Sequence, residues 1–143
     1  MKLFQIEEPE GAPVDADAPG VAVGIDIAPG GVGRIAIAVG GNAEILPDAD
    51  GNRALTLAPP RELLLALRSR AEKQLARPVT HAVIASDNSE AASAQEAAGA
   101  AGITVLGLIP RGDAATLARG AAVDEAPVLG AAMRAEDLAP KVE

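Results

Sequence analysis

An acidic residue followed by a glycine-rich turn has the residue types best suited to chemistry in this chain. Asp26 lies near the end of the apolar run 21–27, and the turn that follows contains Gly30, Gly31 and Gly33 before the cation Arg34. A strand that runs into such a turn can hold a phosphate, because bare backbone N–H groups can approach the anion closely. A second apolar run follows at 34–39, so the same residues are also typical of a plain β-hairpin. Both interpretations stay open here.

The elements that would position this turn begin with short strands and continue as alternating helices and strands. Apolar runs and turn residues predict two further short strands, and helical spacing of leucines predicts a long helix after Pro59-Pro60. The later elements are a strand, an alanine-rich helix, a strand that we expect to be covered on both faces, and two helices capped by acids. The predicted ranges are strands 43–46, 54–57, 79–85 and 103–109, and helices 61–76, 87–101, 113–122 and 124–137, with Asp113 and Asp124 as caps of the last two. This order predicts a mixed sheet with helices packed on it.

Three regions are predicted from composition. Residues 1–20 are acidic and contain three prolines without apolar periodicity, which indicates a flexible arm. Residues 21–139 have the length and apolar content of one domain, and residues 140–143 are expected to fray. Phe4 is the only aromatic residue, so the core must be made of alanine, valine, isoleucine and leucine.

Charge and composition exclude several classes of function. The formal net charge is −8, which argues against a nucleic-acid partner and against an anionic membrane surface. The chain has no cysteine and a single histidine, His81, so thiol catalysis, disulfides and a histidine-rich metal site are excluded. No stretch has the length and apolarity of a membrane span, and no signal peptide is visible, so we expect a cytoplasmic protein.

Several short pieces of the sequence, taken in order, share a pattern that spans nearly the whole chain. They are Phe4–Pro9, Val-Gly-Ile-Asp-Ile at 23–27, Gly-Asn-Arg at 51–53, Pro-Val-Thr-His-Ala-Val-Ile at 78–84, Ala-Gly-Ile at 101–103, the helix at 113–120, and Asp-Glu-Ala with Gly-Ala-Ala at 124–132. In this order they resemble the nucleotide-binding domain of DnaK-type chaperones, the heat shock protein 70 family within the actin-like ATPase superfamily. The first piece is similar to the leader of the HscA-like branch.

The resemblance implies an α/β fold with a ribonuclease-H-like core, in which a mixed five-stranded sheet is flanked by helices. The family has two lobes with ATP in the cleft between them, whereas this sequence matches one subdomain of the first lobe. The second lobe, the segment with the catalytic lysine and the substrate-binding domain have no counterpart here. The resemblance therefore implies a pseudo-ATPase rather than an enzyme.

The resemblance also assigns the candidate site residues. Asp26 matches the metal-associated aspartate of the family, but Ala28-Pro29-Gly30 replaces its Gly-Thr-Thr, which removes two hydroxyls and one N–H. Arg111 stands where the family has a glutamate near the catalytic cation, so the charge is reversed. Arg111 has two alternatives, an ion pair with Asp26 and a solvated side chain, and we favour the second. Asp26 would then be satisfied by backbone N–H groups or by Arg34.

Two functions are consistent with these residues and with the resemblance. The first is a non-catalytic, chaperone-like interaction or assembly module that associates with itself or with another protein, without catalytic residues, metal or cofactor. The second is residual weak binding of phosphate or of ATP or ADP with Mg²⁺ in the segment 26–34, without efficient hydrolysis. The remnant binding set would be Asp26, Gly30, Gly31, Gly33, Arg34 and Arg111.

Overall fold

The computed structural model describes residues 20–139, which form six strands and four helices. Most of the predicted arm and all of the predicted frayed end lie outside these residues. The elements in chain order are β1 Val21–Ala28, β2 Val32–Val39, β3 Asn42–Ile45, β4 Leu55–Thr56, α1 Pro60–Leu75, β5 Val79–Ser86, α2 Asn88–Ala100, β6 Thr104–Ile109, α3 Arg111–Leu117 and α4 Ala126–Leu138.

All six strands belong to one mixed sheet, which confirms the predicted α/β class. Its order is β3-β2-β1-β5-β6, and the two-residue strand β4 also pairs with β2. The strands β1, β2 and β3 are antiparallel neighbours joined by tight turns, whereas β1, β5 and β6 are parallel. Parallel neighbours need long connections, and α1 and α2 supply them.

One face of the sheet carries the main core. Alternate residues of β1, from Val21 to Ile27, point to this face and meet the leucines of α1, which include Leu63, Leu64 and Leu67. The alanines of α2 complete the layer. The predicted leucine spacing of the long helix is therefore explained by burial against the sheet.

The opposite face packs α3 and α4 against the sheet through small residues. A Cβ atom placed on Gly24 of β1 would overlap the backbone of Ala132 in α4, and one placed on Gly130 would overlap the carbonyl of Ala114 in α3. Backbones approach this closely only where side chains are absent. On this face, the core is therefore packed by close approach of backbones at small residues instead of by large side chains.

Strand β6 is an edge strand, and the expectation that both its faces are covered is met only in part, because each face packs partly buried residues against the core. None of its six residues is fully buried, whereas most residues of β5 are. A continuous apolar run is typical of a central strand. Within residues 20–139, however, β6 has a strand neighbour, β5, on one side and none on the other.

The expected acidic caps of the last two helices are also wrong. Helix α3 begins at Arg111, directly after Pro110, so Asp113 lies within its first turn. Helix α4 begins at Ala126 after Glu125, and neither helix has a side-chain cap hydrogen bond. The proline before α3 fixes where that helix starts, and α3 ends at Leu117, earlier than predicted.

Candidate functional site

Three of the predicted site residues meet on the face that α3 and α4 cover. Asp26 of β1 and Arg34 of β2 are direct partners in the antiparallel register, so their side chains share one face. Arg111 is the first residue of α3, two positions after the last residue of β6. The fold thus brings together two residues of one hairpin and a third from far along the chain.

Asp26 is completely buried and is paired with both arginines. The Arg111 guanidinium donates from Nε to Oδ1 at 2.8 Å and from Nη2 to Oδ2 at 3.1 Å. Arg34 Nη1 lies 4.0 Å from Oδ2. The expectation of a solvated Arg111 is therefore wrong, and the physical reason is that a buried carboxylate needs a charged, hydrogen-bonding partner. The expected contact with Arg34 is present at longer range.

Burial and the ion pair act on the pKa of Asp26 in opposite directions. Loss of water raises the pKa of this carboxyl, while the hydrogen bonds and charge of Arg111, and then the charge of Arg34, lower it. The hydrogen-bonded Asp26 carboxylate in turn raises the pKa of Arg111. Burial has the larger effect, so the pKa of Asp26 is raised overall. A substitution that removes Arg111 takes away the main opposing effect and leaves Asp26 with a costly buried charge.

The three glycines of the candidate turn shape the hairpin. Gly30 and Gly31 have φ angles of 85° and 78°, which is the left-handed region that favours glycine, and they form the turn between β1 and β2. Gly33 lies in β2 against Leu63 and Leu67, where a Cβ atom would come within about 3 Å of their methyl groups. The hairpin interpretation of this stretch is therefore confirmed.

The six predicted residues do not form a single group. Gly33 faces α1, on the main-core side, whereas its neighbour Arg34 and the partner Asp26 face α3 and α4. The structure thus gathers Asp26, Arg34 and Arg111 and leaves Gly33 on the other side of the sheet. Gly30 is exposed at the tip of the hairpin, and Gly31 next to it is half-buried.

A second ion pair lies close to the buried one and was missed by sequence reasoning. Arg53 donates from Nε and Nη2 to Glu125 at 2.7 and 3.0 Å, across 72 residues of chain. This contact lowers the pKa of Glu125, and the charge of Arg34 lowers it further. Other acids act in the same way on the buried pair, since the negative charges of Asp87 and Asp124 raise the pKa of Arg111. No local pattern in the sequence signals such a distant pairing.

The arrangement leaves little capacity for metal chemistry. Both oxygens of Asp26 accept hydrogen bonds from Arg111, and a magnesium ligand needs an oxygen free for the cation. Within residues 20–139, no group of three or more histidine or acidic side chains has the geometry of a metal site. One donor of the cluster, Arg34 Nε, is buried without a hydrogen-bond partner among the described residues.

Two surface cavities lie away from this cluster. One, of about 470 Å³, lies between the turn at 48–50 and α1, and includes Arg70 and Lys73 in its lining. The other, of about 350 Å³, lies on the main-core side and is lined by residues that include Leu57, Leu63 and Ser93. Neither is lined by any of the three clustered charged residues.

No protein-family model matches the chain, and no curated protein sequence matches it. None of the helices within residues 20–139 is long and apolar enough to cross a bilayer.

Proposed function

We propose that this chain is a non-catalytic interaction and assembly module, derived from one lobe of a DnaK-type ATPase with a ribonuclease-H-like core. Support for this ancestry comes from the quoted sequence pieces and from the mixed sheet. In that sheet three antiparallel strands continue into two parallel strands flanked by helices. The proposal includes a cytoplasmic location and a protein partner or second copy, without nucleic acid or membrane.

The ion pair between Arg111 and Asp26 is the observation that carries the proposal of lost catalysis. In the family that the sequence resembles, this aspartate is associated with a metal and an acid lies where Arg111 lies here. A guanidinium that holds both oxygens of Asp26 supplies, within the protein, the positive charge that a cation would otherwise supply. The carboxylate then serves the stability of the fold rather than the binding of Mg²⁺.

Interaction with another chain is supported by uncovered apolar surface. Leu108 of β6 and Leu138 of α4 are 37% and 45% exposed, and the apolar strand β6 is only partly covered. A core without tyrosine or tryptophan buries less area per residue, so burial against a partner adds useful stability.

The second candidate function is weak binding of a phosphate or an adenine nucleotide near 26–34. The observation that favours it is the unpartnered Nε donor of Arg34, together with Arg111, whose side chain is 23% exposed. Against it, the Asp26 carboxylate lies between these cations and would repel an anion.

Light scattering and thermal unfolding with nucleotide together test both candidates. We expect light scattering to show an oligomer or a co-purifying partner. A ligand that binds the folded state must raise the melting temperature. We therefore expect millimolar ATP or ADP with Mg²⁺ to leave the melting temperature unchanged. A rise that an Arg34→Ala variant abolishes would support the second candidate. A strict monomer with no partner would contradict the first.

A further inference from the structure

Strand β6 leaves one edge of the sheet open. Within residues 20–139 its strand partner is β5, so the backbone N–H and C=O groups that point away from β5 have no strand beside them. Such an edge is a template for another strand, because each added pair of residues satisfies backbone groups on both chains.

The residues of β6 do nothing to block such pairing. The strand reads Thr-Val-Leu-Gly-Leu-Ile, with no charge and no proline, and Leu108 is 37% exposed. The opposite edge differs, since β3 has four residues, carries the acid Glu44 and is followed by Pro47. Charged side chains and short strands are the usual protection of sheet edges. One edge is therefore protected and the other is not.

A shallow apolar groove runs beside the open edge. It has a volume of about 240 Å³ and lies between β6 and the end of α4, where Arg134 and Leu138 line it. Asp137, on the same turn of α4, is exposed. The last turns of α4, next to the groove, thus carry one exposed positive and one exposed negative charge, three residues apart.

We infer that β6 is the surface at which two copies of this chain join, in antiparallel pairing about a two-fold axis. The inference deepens the proposed function, on whose self-association it rests. A two-fold interface must be complementary to itself. An uncharged strand meets its own copy without repulsion, and antiparallel copies of α4 set Arg134 of one against Asp137 of the other. A chain of net charge −8 needs such a locally balanced patch to approach its own copy.

The first test compares two lysine substitutions by light scattering over a range of concentrations. Leu108→Lys puts a charge on the open edge, and we expect it to convert a wild-type dimer into a monomer. Val123→Lys is the matched control, because this side chain is 84% exposed in the segment before α4. The start of α4 packs on β2 and β3, far from β6, so this variant should stay dimeric.

The second test needs no substitution. Hydrogen exchange of the 104–109 amides should slow as the wild-type concentration rises through dimer formation, while the 42–45 amides at the other edge should not change. This readout decides the question if circular dichroism shows that Leu108→Lys is unfolded. A wild-type monomer at all concentrations overturns both this inference and the proposed self-association. A dimer that keeps its mass in folded Leu108→Lys, or whose 104–109 exchange is independent of concentration, overturns the β6 interface alone.

Discussion

Arg111 and Asp26 are 85 residues apart in the chain and form a two-bonded ion pair, with the carboxylate fully buried. The pair joins the central strand β1 to the start of α3. A hydrogen-bonded arginine offsets part of the cost of burying a carboxylate, whereas the same carboxylate alone is far more expensive to bury. The pair therefore ties the folding of the carboxyl-terminal helices to the central strand.

Replacement of Arg111 by glutamine should destabilise the protein by about 3 kcal/mol at pH 7, because Asp26 is left as a buried charge. Urea unfolding followed by circular dichroism measures this. Burial raises the pKa of Asp26, so the folded state binds a proton more readily than the unfolded state. Stability of the variant should then be greatest at low pH and fall as the pH rises through the folded-state pKa. A deficit that grows in acid would contradict this account.

Arg53→Gln is the matched control for Arg111→Gln. It breaks the other two-bonded arginine pair, with Glu125, but Arg53 is 53% exposed. Solvent screens an exposed pair, so we expect a loss below about 1 kcal/mol. Equal losses for the two variants would mean that burial does not decide the strength of the Arg111 contact.

The Arg53 pair should show a pH dependence of the opposite sign. The hydrogen bonds from Arg53 hold the pKa of Glu125 below its ordinary value. Its contribution is therefore complete above the unfolded-state pKa, about 4.3, and disappears as the pH falls through the lower folded-state value. The difference in melting temperature between wild type and Arg53→Gln should shrink to zero in strong acid. A constant difference from pH 7 to pH 2 would show that the side chain contributes by packing instead.

Alanine at Gly24 should be strongly destabilising, by about 3 kcal/mol, because a Cβ atom there overlaps the backbone of Ala132. The same substitution at Gly99, an exposed position of α2 with no neighbouring atom within 4 Å, should instead stabilise by about 0.5–1 kcal/mol. Urea midpoints of the two variants provide the comparison. Similar midpoints would show that α4 can move away from the sheet without cost.

Removal of the Glu136 carboxylate should loosen the turn between β2 and β3. This carboxylate of α4 accepts the N–H groups of Gly40 and Gly41 at 2.6 and 3.0 Å. Glu136→Ala should cost about 1 kcal/mol and speed hydrogen exchange in β3, whereas Glu96→Ala, at an exposed acid of α2, should do neither. Unchanged exchange in β3 would mean that the strands alone fix the turn.

Much of the fold could be predicted because local patterns determine it. The leucine spacing of α1, the glycines at the β1–β2 turn and the apolar run of β1 are each local signals, set by residues close in sequence or by a regular period. The ends of α3 and α4 could not be predicted as well, because Pro110 and the packing of α4 decide them instead of the acids nearby. The edge position of β6 also escaped prediction, since an apolar run looks alike in a central and an edge strand.

The contacts of the candidate site were harder to predict than its residues. Asp26, Arg34 and Arg111 were all recognised from the sequence, but the pairing of Arg111 with Asp26 was the less favoured of two alternatives. Whether an arginine pairs or stays in water depends on the burial of the acid, which arises only when α3 and α4 cover the sheet. Arg53 and Glu125 were missed as a pair for the same reason, since 72 residues separate them.

The order of elements along the chain has a consequence during synthesis on the ribosome. The β1–β2 hairpin is complete early, and its Asp26 remains hydrated at that stage because the helices that cover it come last. Arg111 opens the first of those two helices, so the neutralising group is translated just ahead of the segment that shuts out water. The carboxylate is therefore shielded from water only after its hydrogen-bonding partner has been synthesised.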